Sequence, residues 1–217
     1  MKNRLLSFGC SYTYGQGLAD CWDKKKLNYG PFPSKFAWPS LLGKDLDLEV
    51  YNFGIPGASN KHIWYTILNT EIFKNDIVVI LWSYTLRHCF FKDDLSIQRL
   101  LPSDVGRQYK YENEKWTTHH FDETKFYYKN FYSNLDSSIE SIGRIDHINY
   151  YLKSKNVSCY HFCVEDITLK TPVHWNNCVI YPVQFDQTLD IALDGLHPGE
   201  ESQKNLSNYM LKIINRK

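Results

Sequence analysis

Four residues carry the types and order needed for acyl-transfer chemistry. Ser11 follows a short apolar run, Arg4-Leu5-Leu6-Ser7-Phe8, and stands at a Gly9-Cys10-Ser11 turn. Asp194 and His197 lie three residues apart in Asp194-Gly195-Leu196-His197-Pro198. Serine is a poor nucleophile at its own pKa and needs a base within hydrogen-bond reach, and imidazole suits that role near neutral pH. A carboxylate three residues before a histidine can hold its Nδ1–H and leave Nε2 to face the serine. Cys10 is the more nucleophilic side chain by intrinsic chemistry, so the turn presents two neighbouring candidates. Adjacent residues on a tight turn point in different directions, so one Asp-His unit serves only one of them.

Such residues need elements to hold them. Apolar runs at Asn3–Phe8, Leu48–Phe53, Asp76–Trp82, Val157–Cys163 and Asn177–Tyr181 read as buried strands. They run without polar alternation, which suits a parallel sheet covered on both faces. Helical spacing appears over Ser34–Lys44 with Pro39 near its start, and over Ser59–Phe73 with Ser59 or Asn60 as cap. It recurs over Glu123–Lys155, where Phe131, Leu135, Ile139, Ile142, Ile145 or Ile148, and Leu152 follow a period near 3.6 and Gly143 is a candidate interruption. A last helix is expected from Pro198 to Ile214, burying Leu206, Tyr209, Met210 and Ile213. Strands alternating with helices predict a three-layer α/β/α domain with a central parallel sheet of about five strands. The whole chain, 1–217, reads as one domain, with 93–122 as an inserted lid or short hairpin because it is polar and aperiodic.

In such sheets function gathers at the carboxyl ends of the strands. There the second strand delivers Asn52-Phe53-Gly54-Ile55-Pro56-Gly57-Ala58-Ser59-Asn60, and the third delivers Trp82-Ser83-Tyr84-Thr85-Leu86-Arg87.

These blocks resemble the SGNH (GDSL-type) hydrolases. FGCSYTYG is similar to their FGDS-type turn, NFGIPGASN to their N-x-G-x-x-G block, and DGLHPG to their D-x-x-H-P block, in the same order along the chain. The resemblance implies a flavodoxin-like α/β/α fold and ester hydrolysis. It makes Ser11 the nucleophile, His197 the general base and Asp194 its orienting acid. The backbone N–H groups of Ser11 and Gly57 become the oxyanion donors. Two departures stand out. Cys10 replaces the usual Asp before the serine, and no Asn stands where the third block normally places an oxyanion donor. Tyr84 aligns with that Asn, and the hydroxyls of Ser83, Tyr84 and Thr85 are the available substitutes. Asn60 is a candidate substrate contact, helix cap or loop support. Arg87 could bind an anionic substrate group, or pair with Asp93 or Asp94.

Bulk properties narrow the remaining classes. A net charge of +1 over 217 residues gives no bulk argument for nucleic acid or an anionic membrane. No apolar run approaches the roughly 18 residues of a membrane span, and no signal-peptide pattern opens the chain, so a cytoplasmic location is expected. The six cysteines suit free thiols better than disulfides in a chain of this kind. Their spacing matches no paired zinc-ligand pattern, so neither metal nor cofactor is expected. His119 and His120 with Trp116 and Phe121 could form a sugar platform or a metal site, although loop surface is the simpler reading. The expected substrate is a small-molecule or carbohydrate ester from which a small acyl group, acetyl by family resemblance, is removed. An acyltransferase with the same triad, or a binding module with a degraded site, remains open at this point.

Overall fold

The computed structural model describes residues 3–102, 121–167, 178–183 and 189–216. Five parallel strands form the sheet: β1 (Arg4–Gly9), β4 (Glu49–Gly54), β5 (Ile77–Trp82), β8 (Ser158–Cys163) and β9 (Ile180–Pro182). Their spatial order is β4-β1-β5-β8-β9, the doubly wound flavodoxin-like arrangement. Two small antiparallel hairpins lie outside it: β2 (Trp22–Asp23) with β3 (Asn28–Tyr29), and β6 (His88–Phe91) with β7 (Ile97–Leu100). The helices are α1 (Ser11–Tyr14), α2 (Trp38–Asp45), α3 (Asn60–Leu68), α4 (Phe121–Asn130), α5 (Asn134–Ser154) and α6 (Glu200–Ile214). Helix α2 packs against α6, and α3 against α5.

Central strands β1 and β5 account for the unbroken apolar runs. Leu5, Leu6, Phe8 and Val78 to Trp82 are all buried, because helices cover both faces. Each such Leu, Ile or Val contributes roughly 1.5–3 kcal/mol relative to exposure. Pairing of Gly9 with Gly54 on one side and Leu81 on the other brings the strand ends to a common level. The chain reversal in strand order falls at β1, so its carboxyl end opens a crevice between neighbouring loops.

Several local expectations need correction. The long helical region divides at Phe131–Ser133, where Ser133 caps α5 by accepting from the Asp136 N–H, while Gly143 sits inside α5. Phe131, Leu135 and Ile139 are exposed; the buried face of α5 runs through Ser138, Ile142, Ile145, Ile148 and Leu152. Helix α6 begins at Glu200 with Gly199 as its cap, so Pro198 precedes the helix. Tyr209 is partly exposed, and the buried stripe instead includes Gln203. The polar stretch placed at 93–122 is entered through a hairpin that already begins at His88; residues 103–120, with the His119-His120 pair, lie outside those described. All six cysteines are free thiols. Among the described residues, no helix is long and apolar enough to cross a membrane.

Candidate active site

Strand β1 runs directly into α1, so Ser11 becomes the first residue of that short helix, with Cys10 as its cap in extended conformation. Cys10 is fully buried in the main hydrophobic cluster and makes no capping bond through its side chain. Ser11 is buried as a residue, and its hydroxyl has no hydrogen-bond partner among the described residues.

The loop before α6 organises itself around Asp194. Oδ1 accepts from the backbone N–H of Leu196 at 3.0 Å and of His197 at 3.1 Å. Oδ2 accepts from His197 Nδ1 at 2.5 Å. That bond assigns the ring proton to Nδ1 and leaves Nε2 as the basic nitrogen. Burial pushes the Asp194 carboxyl up. The His197 hydrogen bond and the two backbone donors outweigh burial, and the group ends below its usual value. Asp194 therefore stays ionised and keeps the imidazole oriented.

Three contacts join this loop and the start of α6 to the Ser11 turn. The Leu193 N–H donates to the Gly17 carbonyl at 2.9 Å. The rings of Tyr12 and His197 meet edge-to-face, with centroids 5.6 Å apart. Gln203 donates through Nε2 to the Tyr12 carbonyl at 3.2 Å and accepts from the Trp38 N–H at 3.0 Å. His197 thus stands against the residue that follows Ser11. Gly17, at φ +88°, is packed so tightly on Asp194 that a Cβ there would lie 2.6 Å from the carboxyl carbon.

The Gly57 loop is a type II turn. Pro56 and Gly57 occupy its centre, Gly57 has φ +74°, and the Ala58 N–H closes it on the Ile55 carbonyl at 3.0 Å. The Ile55 N–H donates to the Gly9 carbonyl at 3.0 Å, which ties the turn to the end of β1. Asn52 adds a second tie, donating to the Thr13 carbonyl at 2.7 Å and accepting from the Gly54 N–H at 2.8 Å. Among the described residues, the N–H groups of Ser11 and Gly57 have no backbone acceptor.

Other candidates fall into different places. The Tyr84 hydroxyl lies 3.1 Å from that of Tyr12. Burial first, and then this hydroxyl contact, raise the Tyr12 phenol well above its ordinary value, so it stays neutral. Arg87 donates to Ser83 Oγ at 3.0 Å and stacks on the Tyr84 ring at 5.1 Å; it pairs with neither Asp93 nor Asp94. Asn60 is buried with its amide fully engaged. It accepts from the Ser83 N–H at 2.7 Å and donates to the Ser83 carbonyl and Ser141 Oγ, both at 3.1 Å. Asn60 therefore ties the start of α3 to the loop after β5 and to α5, and Ser59 is the cap of α3, accepting from the His62 N–H at 3.3 Å.

Four contributors went unread in the sequence. Tyr12 and Gln203 connect the loops, and Asp190 and Arg99 also act here. Asp190 caps α6 from a distance, accepting from the Glu201 and Ser202 N–H groups at 2.8 and 2.9 Å. Only Gln203 left a signal, a polar residue three positions before Leu206 on the apolar stripe. An apolar cavity of about 640 Å³ lies between α4 and the β6–β7 hairpin, lined by Phe90, Leu100, Phe126, Tyr127 and Phe131; none of the candidate catalytic residues lines it.

Three solved structures share this fold across nearly the whole chain. One is a carbohydrate esterase whose active site displays divergent catalytic and non-catalytic binding functions (11% identity, TM-score 0.56, covering 99% of this chain and 69% of that one). Another is an acetyl xylan esterase from the rumen bacterium Butyrivibrio proteoclasticus (10% identity, TM-score 0.58, 99% and 64%). A third is a carbohydrate acetylesterase family member from Sinorhizobium meliloti (12% identity, TM-score 0.51, 99% and 98%). The chain has the fold of these esterases. It spans roughly two thirds of the first two and nearly all of the third. No family model matches the sequence, and no curated protein matches it by sequence.

Proposed function

We propose that this chain is a serine ester hydrolase that removes a small acyl group, acetyl in the first instance, from a carbohydrate or related small molecule. The observation that carries this reading is the Asp194–His197 pair, bonded at 2.5 Å and seated against Tyr12, the residue after Ser11.

In this mechanism Ser11 Oγ attacks the acyl carbonyl while His197 Nε2 accepts the hydroxyl proton. The carbonyl oxygen becomes an oxyanion and takes hydrogen bonds from the N–H groups of Ser11 and Gly57. Tyr84 adds a third donor when Tyr12 donates to the Tyr84 oxygen, which frees the Tyr84 proton for the oxyanion. His197 then passes its proton to the departing sugar oxygen, leaving Ser11 acylated. A water attacks the acyl carbon, loses its proton to Nε2, and the acid departs as Ser11 Oγ is reprotonated. Asp194 stays ionised throughout and stabilises the imidazolium. Resting hydrogen bonds of catalytic groups often tighten only with substrate bound, so the free Ser11 hydroxyl is compatible with this sequence of steps.

The test is a fluorophosphonate probe followed by peptide mapping, with turnover of 4-nitrophenyl acetate and an acetylated xylo-oligosaccharide. The label is expected on Ser11, and it should disappear in Ser11→Ala. An unlabelled Ser11 together with no turnover of either ester would sink the proposal.

A further inference from the structure

We propose that Arg99 is a positioning residue for the oxyanion donor, acting through the Pro56–Gly57 peptide; this rests on the esterase reading above. Arg99 lies on β7, outside the main sheet, and donates through Nη1 to the Pro56 carbonyl at 2.6 Å. The Pro56 carbonyl and the Gly57 N–H belong to one planar trans peptide, so they point in opposite directions. A cation bound to the carbonyl oxygen draws electron density through the amide and makes the N–H a stronger donor.

The turn geometry adds a second reason. In a type II turn the closing hydrogen bond, here Ala58 N–H to Ile55 C=O, leaves the central peptide unengaged. Type I and type II differ by a half-rotation of that peptide, and glycine at the third position permits both. Without Arg99 the peptide is free to turn over and aim the Gly57 N–H away from the site. The arginine stem also covers Gly57, since a Cβ there would lie 3.6 Å from Arg99 Cδ and 3.5 Å from Nη1.

The hairpin that carries Arg99 is itself anchored. The Tyr128 hydroxyl of α4 lies 2.6 Å from the Leu86 carbonyl and 2.9 Å from the Leu100 carbonyl, sharing one proton between them. Ser59 Oγ donates to Cys89 Sγ, at 3.2 Å, and Cys89 is opposite Arg99 in the hairpin. No carboxylate among the described residues forms an ion pair with Arg99. Nor does His62 beside it add a second cation, because burial first and the Arg99 charge second lower it to about 4. Among the described residues the guanidinium is therefore engaged by the peptide alone, and it strengthens a backbone donor in a site that lacks the usual Asn.

Arg99→Met keeps the stem and removes the charge; Arg99→Lys keeps a charged donor. With 4-nitrophenyl acetate, Arg99→Met is expected to lower kcat by about 10- to 100-fold, less than the 100- to 1000-fold of a deleted oxyanion donor. KM should stay within about twofold, and Arg99→Lys should recover part of kcat. In the Met variant the Gly57 amide nitrogen resonance should move upfield as its carbonyl loses the hydrogen bond. A rise in KM at unchanged kcat would make Arg99 a substrate contact and overturn the proposal, as would unchanged kinetics. Should Arg99→Met fail to fold, Arg99→Lys decides: the proposal requires a lowered kcat at constant KM and falls without it. An inactive parent chain with unlabelled Ser11 removes the esterase reading and the catalytic role together, whereas an unmoved Gly57 resonance refutes the peptide clamp by itself.

Discussion

Substituting Gly17 by alanine tests whether the position of Asp194 controls the rate. Gly17 makes no contact with Ser11 or His197 through a side chain, yet its added Cβ would stand 2.6 Å from Asp194 Cγ and 2.7 and 2.8 Å from the two carboxylate oxygens. Ordinary carbon contacts begin near 3.5 Å, so backbone or carboxylate must move on the order of 1 Å. A displacement of that size at a reacting group can cost about 100-fold. At φ +88° an L-residue also adds about 1–2 kcal/mol of backbone strain, and overpacking adds about 1–3 kcal/mol. The total, about 2–5 kcal/mol, leaves a typical domain folded. For a chain of this size, each kcal/mol lowers Tm by about 2–4 °C. The expected result is a folded Gly17→Ala protein with a lowered Tm and kcat/KM for 4-nitrophenyl acetate reduced by about 100-fold. Because both changes act on one carboxylate, the Gly17→Ala/Asp194→Asn double variant should be barely slower than Asp194→Asn alone. Activity within about threefold of the parent, or losses that multiply in the double variant, would refute the reasoning.

Cys10→Ala should keep most activity and lose on the order of 1 kcal/mol of stability from its buried site, whereas Ser11→Ala should lose turnover; kinetics and urea melts compare the two, and the opposite ranking would reassign the nucleophile. Tyr84→Phe should lower kcat by at least tenfold if its hydroxyl reaches the oxyanion, and a change below twofold removes it from that role. Asp190→Asn should destabilise the fold by about 0.5–2 kcal/mol through the weakened start of α6, read as a lower urea midpoint at pH 7. Burial pushes the Asp190 carboxyl up, but its Ser202 and backbone donors hold it below the usual value. Its contribution, like that of Asp194, is therefore complete above the unfolded value near 3.8 and is lost as pH falls through the folded one. The parent should lose stability faster than Asp190→Asn between pH 5 and about 3, and parallel curves would contradict the assignment.

The central strands β1 and β5 were legible because each is an apolar run buried on both faces, a pattern local enough to read residue by residue, and the half-exposed edge strands β4 and β9 were read from shorter, more mixed runs. Asp194 and His197 were legible as a pair because three residues of chain already bring them together. Cys10 and Ser11 were separable only by register against a known pattern, since both residues are buried. Helix faces were read less well: Leu135 and Ile139 keep helical spacing but are exposed among the described residues. Asn60, Asp190 and Arg99 could not be assigned from sequence. Asn60, at the start of α3, meets Ser83 twenty-three residues later, Asp190 reaches a helix end eleven residues later, and Arg99 meets Pro56 forty-three residues earlier. Sequence alone determined the strand and helix order and which residue types stand at the strand ends, since those depend on residue type and local periodicity. Tertiary structure decided which polar side chains serve as braces, because a hydrogen bond between distant segments exists only once the sheet order has set their separation.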